Sequence, residues 1–63
     1  MNYITLAKDA SLAEQENHWK KAAILWAEAA EKASHTSANY PWALTRVEFC
    51  QARDKAVNPM QYS

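Results

Sequence analysis

Residues 19–34 read Trp19-Lys20-Lys21-Ala22-Ala23-Ile24-Leu25-Trp26-Ala27-Glu28-Ala29-Ala30-Glu31-Lys32-Ala33-Ser34. Wound at helical spacing, Trp19, Ala22, Ala23, Trp26, Ala29, Ala30 and Ala33 fall in one arc about 100° wide. Large rings alternate there with methyl groups. A neighbouring helix can approach closely at the alanines while the tryptophans fill the ends of the seam. At about 1.5 Å per residue the segment rises about 24 Å, enough to form the spine of a small helical domain.

Toward the N-terminus, Tyr3, Leu6, Ala7, Ala10 and Ala13 recur at helical spacing and predict a first helix over about 3–16. The chain has no glycine, so asparagine is the residue best able to adopt the left-handed conformation that closes a helix. Glu16-Asn17-His18 is therefore read as a tight turn, with a second helix over about 19–34. Toward the C-terminus, Ser34 to Asn39 is a polar loop, and Pro41 suits the first turn of a third helix over about 41–57, with Tyr40 just outside it. Asn58-Pro59 should end that helix, leaving 58–63 as a frayed tail. Its apolar stripe is read as Trp42, Phe49, Cys50 and Val57, with Arg46 and Arg53 projecting through the same arc. The expectation is an all-α fold in a single domain over 1–63: an αα-hairpin covered by a third helix. Leu6, Ala10, Trp19, Ala22, Trp26, Ala29, Trp42, Phe49 and Cys50 are expected to form its core.

A chain of 63 residues buries only about 60% of the surface its unfolded form exposes. One cysteine excludes an internal disulfide, and no Cys/His set suits structural zinc. Tight helix packing and self-association remain as sources of stability, so a homodimer or higher oligomer is expected. Seven Lys and Arg balance seven Asp and Glu, which removes the net attraction behind most nucleic-acid binding. No apolar run has the length of a membrane span, and Lys8 and Asp9 interrupt the stretch where a signal peptide would be apolar. A cytoplasmic location is expected, with Cys50 as a reduced thiol acting as a small core hydrophobe.

Residue types that carry chemistry are scattered. His18 and His35 fall in the two turns, with no carboxylate or thiol at ligand spacing. Asp9, Glu14, Glu16, Glu28, Glu31, Glu48 and Asp54 contain no pair set apart as general acid and base, and are read as solvated faces, with Glu28 and Lys32 as an i,i+4 pair. Without glycine there is neither a phosphate-cradling loop nor a nucleophile elbow in its usual form. The reading expects no catalytic residue, no cofactor, no metal site and no enzymatic activity.

Two features point to binding instead. Trp19, Ala22, Trp26 and Ala29 match the second helix of one tetratricopeptide unit, and Leu6 and Ala10 fall near its first packing pair. A single such hairpin cannot bury its own faces. The second feature is a surplus of aliphatic side chains off the main stripes: Ile4, Leu12, Ile24, Leu25 and Leu44. Burying one such side chain stabilises by about 1.5–3 kcal/mol, so leaving even four of the five in water is a large sacrifice for a small domain. Lys20 and Lys21 add to this surface, because cations in a helix's first turn oppose its macrodipole unless something offsets them. Arg46, set among Trp42, Phe49 and Cys50, is expected to stack on a ring, to pair with a carboxylate from another helix, or to contact a partner.

With these residues assembled, the chain resembles the ANR family, the negative regulators of AraC-type transcription activators. The resemblance runs from about Tyr3 to Arg53. It rests on the alanine-rich first helix, on Trp19-Lys20-Lys21-Ala22-Ala23-Ile24-Leu25-Trp26 with Ala29, and above all on Asn39, Trp42, Ala43, Arg46, Phe49, Cys50 and Arg53 as an N-x-x-W-A-x-x-R-x-x-F-C-x-x-R run. Asn17-His18 stands where the family commonly has Gly-Asp or Gly-Asn. The resemblance implies a small regulator that binds an AraC/XylS-type activator and blocks its self-association or action, with some members also linked to nucleoid-structuring proteins. Two other readings stay open. One is a helix-turn-helix DNA-binding protein, which the mixture of Lys20, Lys21 and Lys32 with Glu28 and Glu31 on the second helix argues against. The other is a structural helical subunit of a larger assembly.

Overall fold

The structure, a computed structural model, describes residues 2–62, except for the side chains of residues 61 and 62. It is all-α, with α1 at Tyr3–Gln15, α2 at Trp19–Lys32, α3 at Asn39–Val57 and a closing 3₁₀ turn at Pro59–Tyr62. The three-residue turn between α1 and α2 makes them antiparallel neighbours, an arrangement compatible with a tetratricopeptide-like hairpin. The second helix packs against both others, whereas α1 and α3 scarcely approach each other. The result is a slender body of 35 × 20 × 14 Å.

Local chemistry sets the helix ends. Asn2 caps α1 by accepting from the Thr5 N–H at 2.9 Å. At the other end Asn17 has φ +62°. Its N–H donates to the Glu14 carbonyl at 3.0 Å, and the His18 N–H donates to the Ala13 carbonyl at 2.8 Å. These two bonds make a Schellman closure with asparagine in the position usually held by glycine. Since a β-carbon in this conformation costs roughly 1–2 kcal/mol, which an asparagine side chain partly relieves, Asn17→Ala should lower stability by about 1 kcal/mol and Asn17→Gly should not. Urea unfolding of the two variants checks this; equal midpoints would remove the argument.

The second helix stops at Lys32 rather than Ser34. Ser34 instead folds the connecting loop, its hydroxyl accepting from the Thr36 N–H at 3.3 Å. Ser37 starts α3 earlier than expected, because its hydroxyl accepts from the Asn39 N–H at 3.2 Å and its carbonyl from the Tyr40 N–H. Tyr40 therefore lies inside α3, with its ring 4.4 Å from that of His35. At the end of α3, Asn58 caps the helix, its side-chain amide donating to Asp54 Oδ1 at 2.9 Å, and Pro59–Tyr62 forms the 3₁₀ turn in the stretch expected to be a frayed tail.

The core is built mostly from methyl groups. Among the described residues the buried hydrophobics are Leu6, Trp26, Cys50 and alanines 10, 13, 22, 23, 29, 30, 33 and 43. Trp19 is half-buried and packs at its edge. Trp42 and Phe49, expected in this core, are instead 54% and 41% exposed. The buried strip of α3 lies one step around the helix, at Ala43, Cys50 and Asp54 with Val47 beside them. The buried positions of α2 other than Trp26 are all alanines, and small groups let neighbouring helices approach closely; the two rings of α3 stand at the margin of that packing.

Candidate protein-interaction site

With Leu6, Ala10 and Ala13 turned inward, α1 leaves Ile4 and Leu12 in solvent at 63% and 55% exposure. Tyr3, Ile4, Ala7, Lys8, Ser11 and Leu12 line an open groove of about 490 Å³ along it. Leu12 is also a wall of a second crevice of about 330 Å³ between α1 and α2, completed by Asp9, Ala13, Glu16, Lys21 and Leu25. The two hollows share that side chain and form one path from Tyr3 toward Leu25, largely apolar as far as Leu12 with Lys8 midway along that stretch, and ringed by Asp9, Glu16 and Lys21 beyond it.

Of the residues expected at an interface, the structure therefore brings together Ile4, Leu12, Lys21 and Leu25. Leu25 is only half available, since it packs against the core. Ile24 and Leu44 are exposed but line neither hollow, and Lys20 is exposed near the start of α2. Tyr3, Ala7 and Ser11 were not singled out for this surface. The periodicity counted Tyr3 and Ala7 with the inward face, and serine carried no signal of its own.

Arg46 takes the structural role open to it. Its Nε donates to Glu14 Oε2 at 3.2 Å, and a second guanidinium nitrogen donates to Oε1, a bidentate pair across α1 and α3. The Trp26 indole N–H donates to the same Oε2 at 2.6 Å, and the Cys50 thiol lies 3.4 Å from it. One carboxylate thus ties all three helices. Burial pushes the Glu14 carboxyl up, but the hydrogen bonds from Arg46, Trp26 and Cys50 and the Arg46 charge outweigh it, and the net shift is downward. The Arg46 guanidinium is held above its ordinary value, chiefly by the hydrogen bond to Glu14. Burial, reinforced by the Glu14 charge, pushes the Cys50 thiol up to about 12, so little thiolate is present at neutral pH.

The expectation that the acids are solvated fails at two positions. Glu14 is largely enclosed, and Asp54 is 3% exposed, accepting from the Asn58 side-chain amide at 2.9 Å. Both stand next to positions that face a neighbouring helix, and the residue type masked their placement. Glu16 lies 3.6 Å from His18, both exposed, which places a carboxylate beside a histidine read as having none at ligand spacing. No ion pair joins Glu28 to Lys32. Among the described residues, no three of His, Cys, Asp or Glu converge as metal ligands, and no helix is long and apolar enough to cross a membrane.

No protein-family model, no curated protein and no solved structure matches the chain.

Proposed function

We propose that this chain is a non-catalytic helical regulator that binds and inhibits an AraC/XylS-type transcription activator through protein contacts made along α1. The observation that carries the reading is the path from Tyr3 to Leu25, largely apolar as far as Leu12, with Ile4 and Leu12 held in water on a helix whose other face is fully packed. In so small a domain, leaving these side chains uncovered forgoes stabilisation of about 1.5–3 kcal/mol each. A partner helix lying in the groove would recover it, the helix-in-groove mode of recognition. The groups with perturbed titration add support from the other side. Glu14, Arg46 and Cys50 are engaged with one another and with Trp26, an internal brace rather than a reactive cleft. The kind of partner comes from the resemblance to the ANR family alone.

Co-purification of the chain with AraC/XylS-type activators of its host, after nuclease treatment, tests the reading. Ile4→Glu and Leu12→Glu should each weaken the complex at least tenfold while the helical circular-dichroism signal stays unchanged. An activator captured equally well by both variants would remove α1 as the contact, and loss of the catch with nuclease would replace protein binding by DNA binding. The same apolar path supports self-association, for which sedimentation over the micromolar range is the measurement. A monomer mass independent of concentration would exclude it.

A further inference from the structure

One side of the α2–α3 pair is occupied. Arg46 reaches Glu14 of α1 there, with its guanidinium carbon 5.7 Å from the centroid of the Trp42 ring and 4.2 Å from that of Phe49. Trp19 meets Phe49 edge to face at 5.9 Å, and the Arg53 guanidinium carbon lies 5.2 Å from the Trp19 centroid, which completes a ring–arginine stack. Helical spacing puts two other rows on the opposite side of the pair: Lys20, Ile24, Ala27 and Glu31 on α2, and Tyr40, Leu44, Val47 and Gln51 on α3. Both rows run i, i+4, i+7, i+11, the spacing of a seam between packed helices. Yet Ile24 and Leu44 are 55% and 40% exposed, Lys20, Ala27, Glu31 and Gln51 are exposed, and only Tyr40 and Val47 lean on the core.

The charges in the α2 row oppose their own helix. Lys20 stands in the first turn of α2 and Glu31 in the last, each beside the macrodipole end of its own sign. Lys21 and Glu28, on the outer margin of the row, have the same polarity. A second α2 laid antiparallel on this face reverses the situation. With Ile24 level with the second copy's Ala27, Lys20 comes level with its Glu31 and Glu31 with its Lys20, while Lys21 falls near its Glu28. Lys20 already interacts within its own chain, and an ammonium with three donors can serve a further acceptor. The same two-fold axis serves α3. The α2 row is centred between Leu25 and Trp26 and the α3 row between Thr45 and Arg46, and the two centres lie equally many residues from the helix ends that the 33–38 connection joins, so they are level across the seam. That axis pairs Leu44 with the second copy's Val47 and Tyr40 with its Gln51. At the α3 margin Glu48 comes level with the second copy's Ala43, and Lys55 passes beyond the start of its α3, so no like charges are set level.

We propose that this α2–α3 face is the contact between two copies of the chain, joined antiparallel about that axis. A two-fold interface uses one patch on both subunits, so the patch must carry the complement of each of its own residues. This face does so in charge, in apolar position and in level on two helices at once, which nothing requires of a surface shaped for an unrelated partner. The apolar surface of α1 lacks that symmetry, because pairing Ile4 with the second copy's Leu12 brings the two Lys8 side chains level. Covering Ile24 and Leu44 in both copies supplies the apolar stabilisation, and the charges fix direction and register. The face lies away from Ile4 and Leu12, so the dimer leaves the α1 groove open and the inference does not rest on the reading above.

Sedimentation of the full chain at low salt, over the micromolar range, tests the proposal. Wild type should be a dimer. Lys20→Glu and Glu31→Lys should each weaken it at least tenfold, because one substitution places two like-charge pairs in the interface. The double variant Lys20→Glu/Glu31→Lys should return to within a few-fold of wild type. The two positions lie about 16 Å apart along one helix, too far to pair within a chain, so rescue reports contact between copies. Both substitutions suit the macrodipole, so helicity should hold or rise in all three variants and lost association is not a folding defect. Ile24→Glu should abolish the dimer, and Ile4→Glu should leave it unchanged. A monomer at every concentration, single charge changes without effect, a double variant no better than the singles, or a dimer broken by Ile4→Glu would each overturn the proposal. Failure of the dimer leaves the α1 reading standing, since an activator captured by wild type and lost with Ile4→Glu does not depend on this face.

Discussion

Trp26→Ala is expected to unfold the domain at room temperature or leave it barely stable. Truncating a buried aromatic costs about 3–5 kcal/mol, and a domain of this length is stable by roughly 3–9 kcal/mol at the usual value per residue. Among the described residues Trp26, at 4% exposure, is the one fully buried large aromatic, and the other large aliphatic side chain buried in that core is Leu6, among alanines. The buried alanines around it have no side-chain length with which to fill the space. The substitution also removes the indole N–H from Glu14. Trp26→Phe separates the two effects, since it keeps most of the apolar volume and loses only the donor, at a cost of about 1–2 kcal/mol. Thermal melts of both variants decide the matter: an alanine variant melting within a few degrees of wild type would show that the core does not depend on this ring.

Glu14→Leu should be the next most damaging change, at about 3 kcal/mol, and its effect should be largely reversed by adding Arg46→Met. Removing one member of an enclosed ion pair strands the other charge, and here also the Trp26 N–H, whereas replacing both charges with apolar groups is often close to neutral. The brace matters more than its one carboxylate suggests, because α1 and α3 scarcely touch otherwise. Stability curves for the two single variants and the double variant form a cycle. If the double variant is as unstable as the two singles added together, Glu14 and Arg46 act independently and the brace is not a unit.

The same brace sets a pH dependence whose sign follows from the direction of the Glu14 shift. Its folded-state value lies below the ordinary 4.5, so the unfolded chain takes up the proton first. The stabilisation is complete above the unfolded value and is lost as pH falls below it through the folded value. Wild type should therefore lose melting temperature below about pH 4.5 more steeply than Glu14→Leu/Arg46→Met, which lacks the group. Parallel curves for the two proteins would show that other carboxylates control the acid limb.

The three helices and their order were legible in the sequence because they rest on local causes. Alanine abundance and the 3.6-residue recurrence around Trp19 and Trp26 define the middle helix. The lack of glycine left Asn17 as the residue to turn left-handed, and the backbone there does so. The earlier start of α3 was missed because a serine in a polar loop does not reveal which N–H its hydroxyl will meet, here that of Asn39. Trp42 and Phe49 were misplaced for a different reason. Their size argues for burial, and only the way α3 packs decides that Ala43, Cys50 and Asp54 face inward and the rings do not.

For the candidate sites the division is sharper. Ile4, Leu12, Ile24 and Leu44 lie off the packed stripes, and that much follows from helical periodicity alone, which is why the sequence by itself determined that this small all-α chain would leave aliphatic side chains in water. Which of them form one surface was a matter of helix placement: Leu12 joins Leu25 and Lys21 across the α1/α2 seam, while Ile24 and Leu44 face elsewhere. The Glu14 brace and the ring–arginine stack were decided only by tertiary structure. Their members come from positions 14, 26, 46 and 50 and from 19, 42, 46, 49 and 53, and no local rule relates a carboxylate at the end of one helix to a guanidinium 32 residues later. Such pairings depend on the angle and depth at which the helices meet, and the packing of side chains between helices sets both.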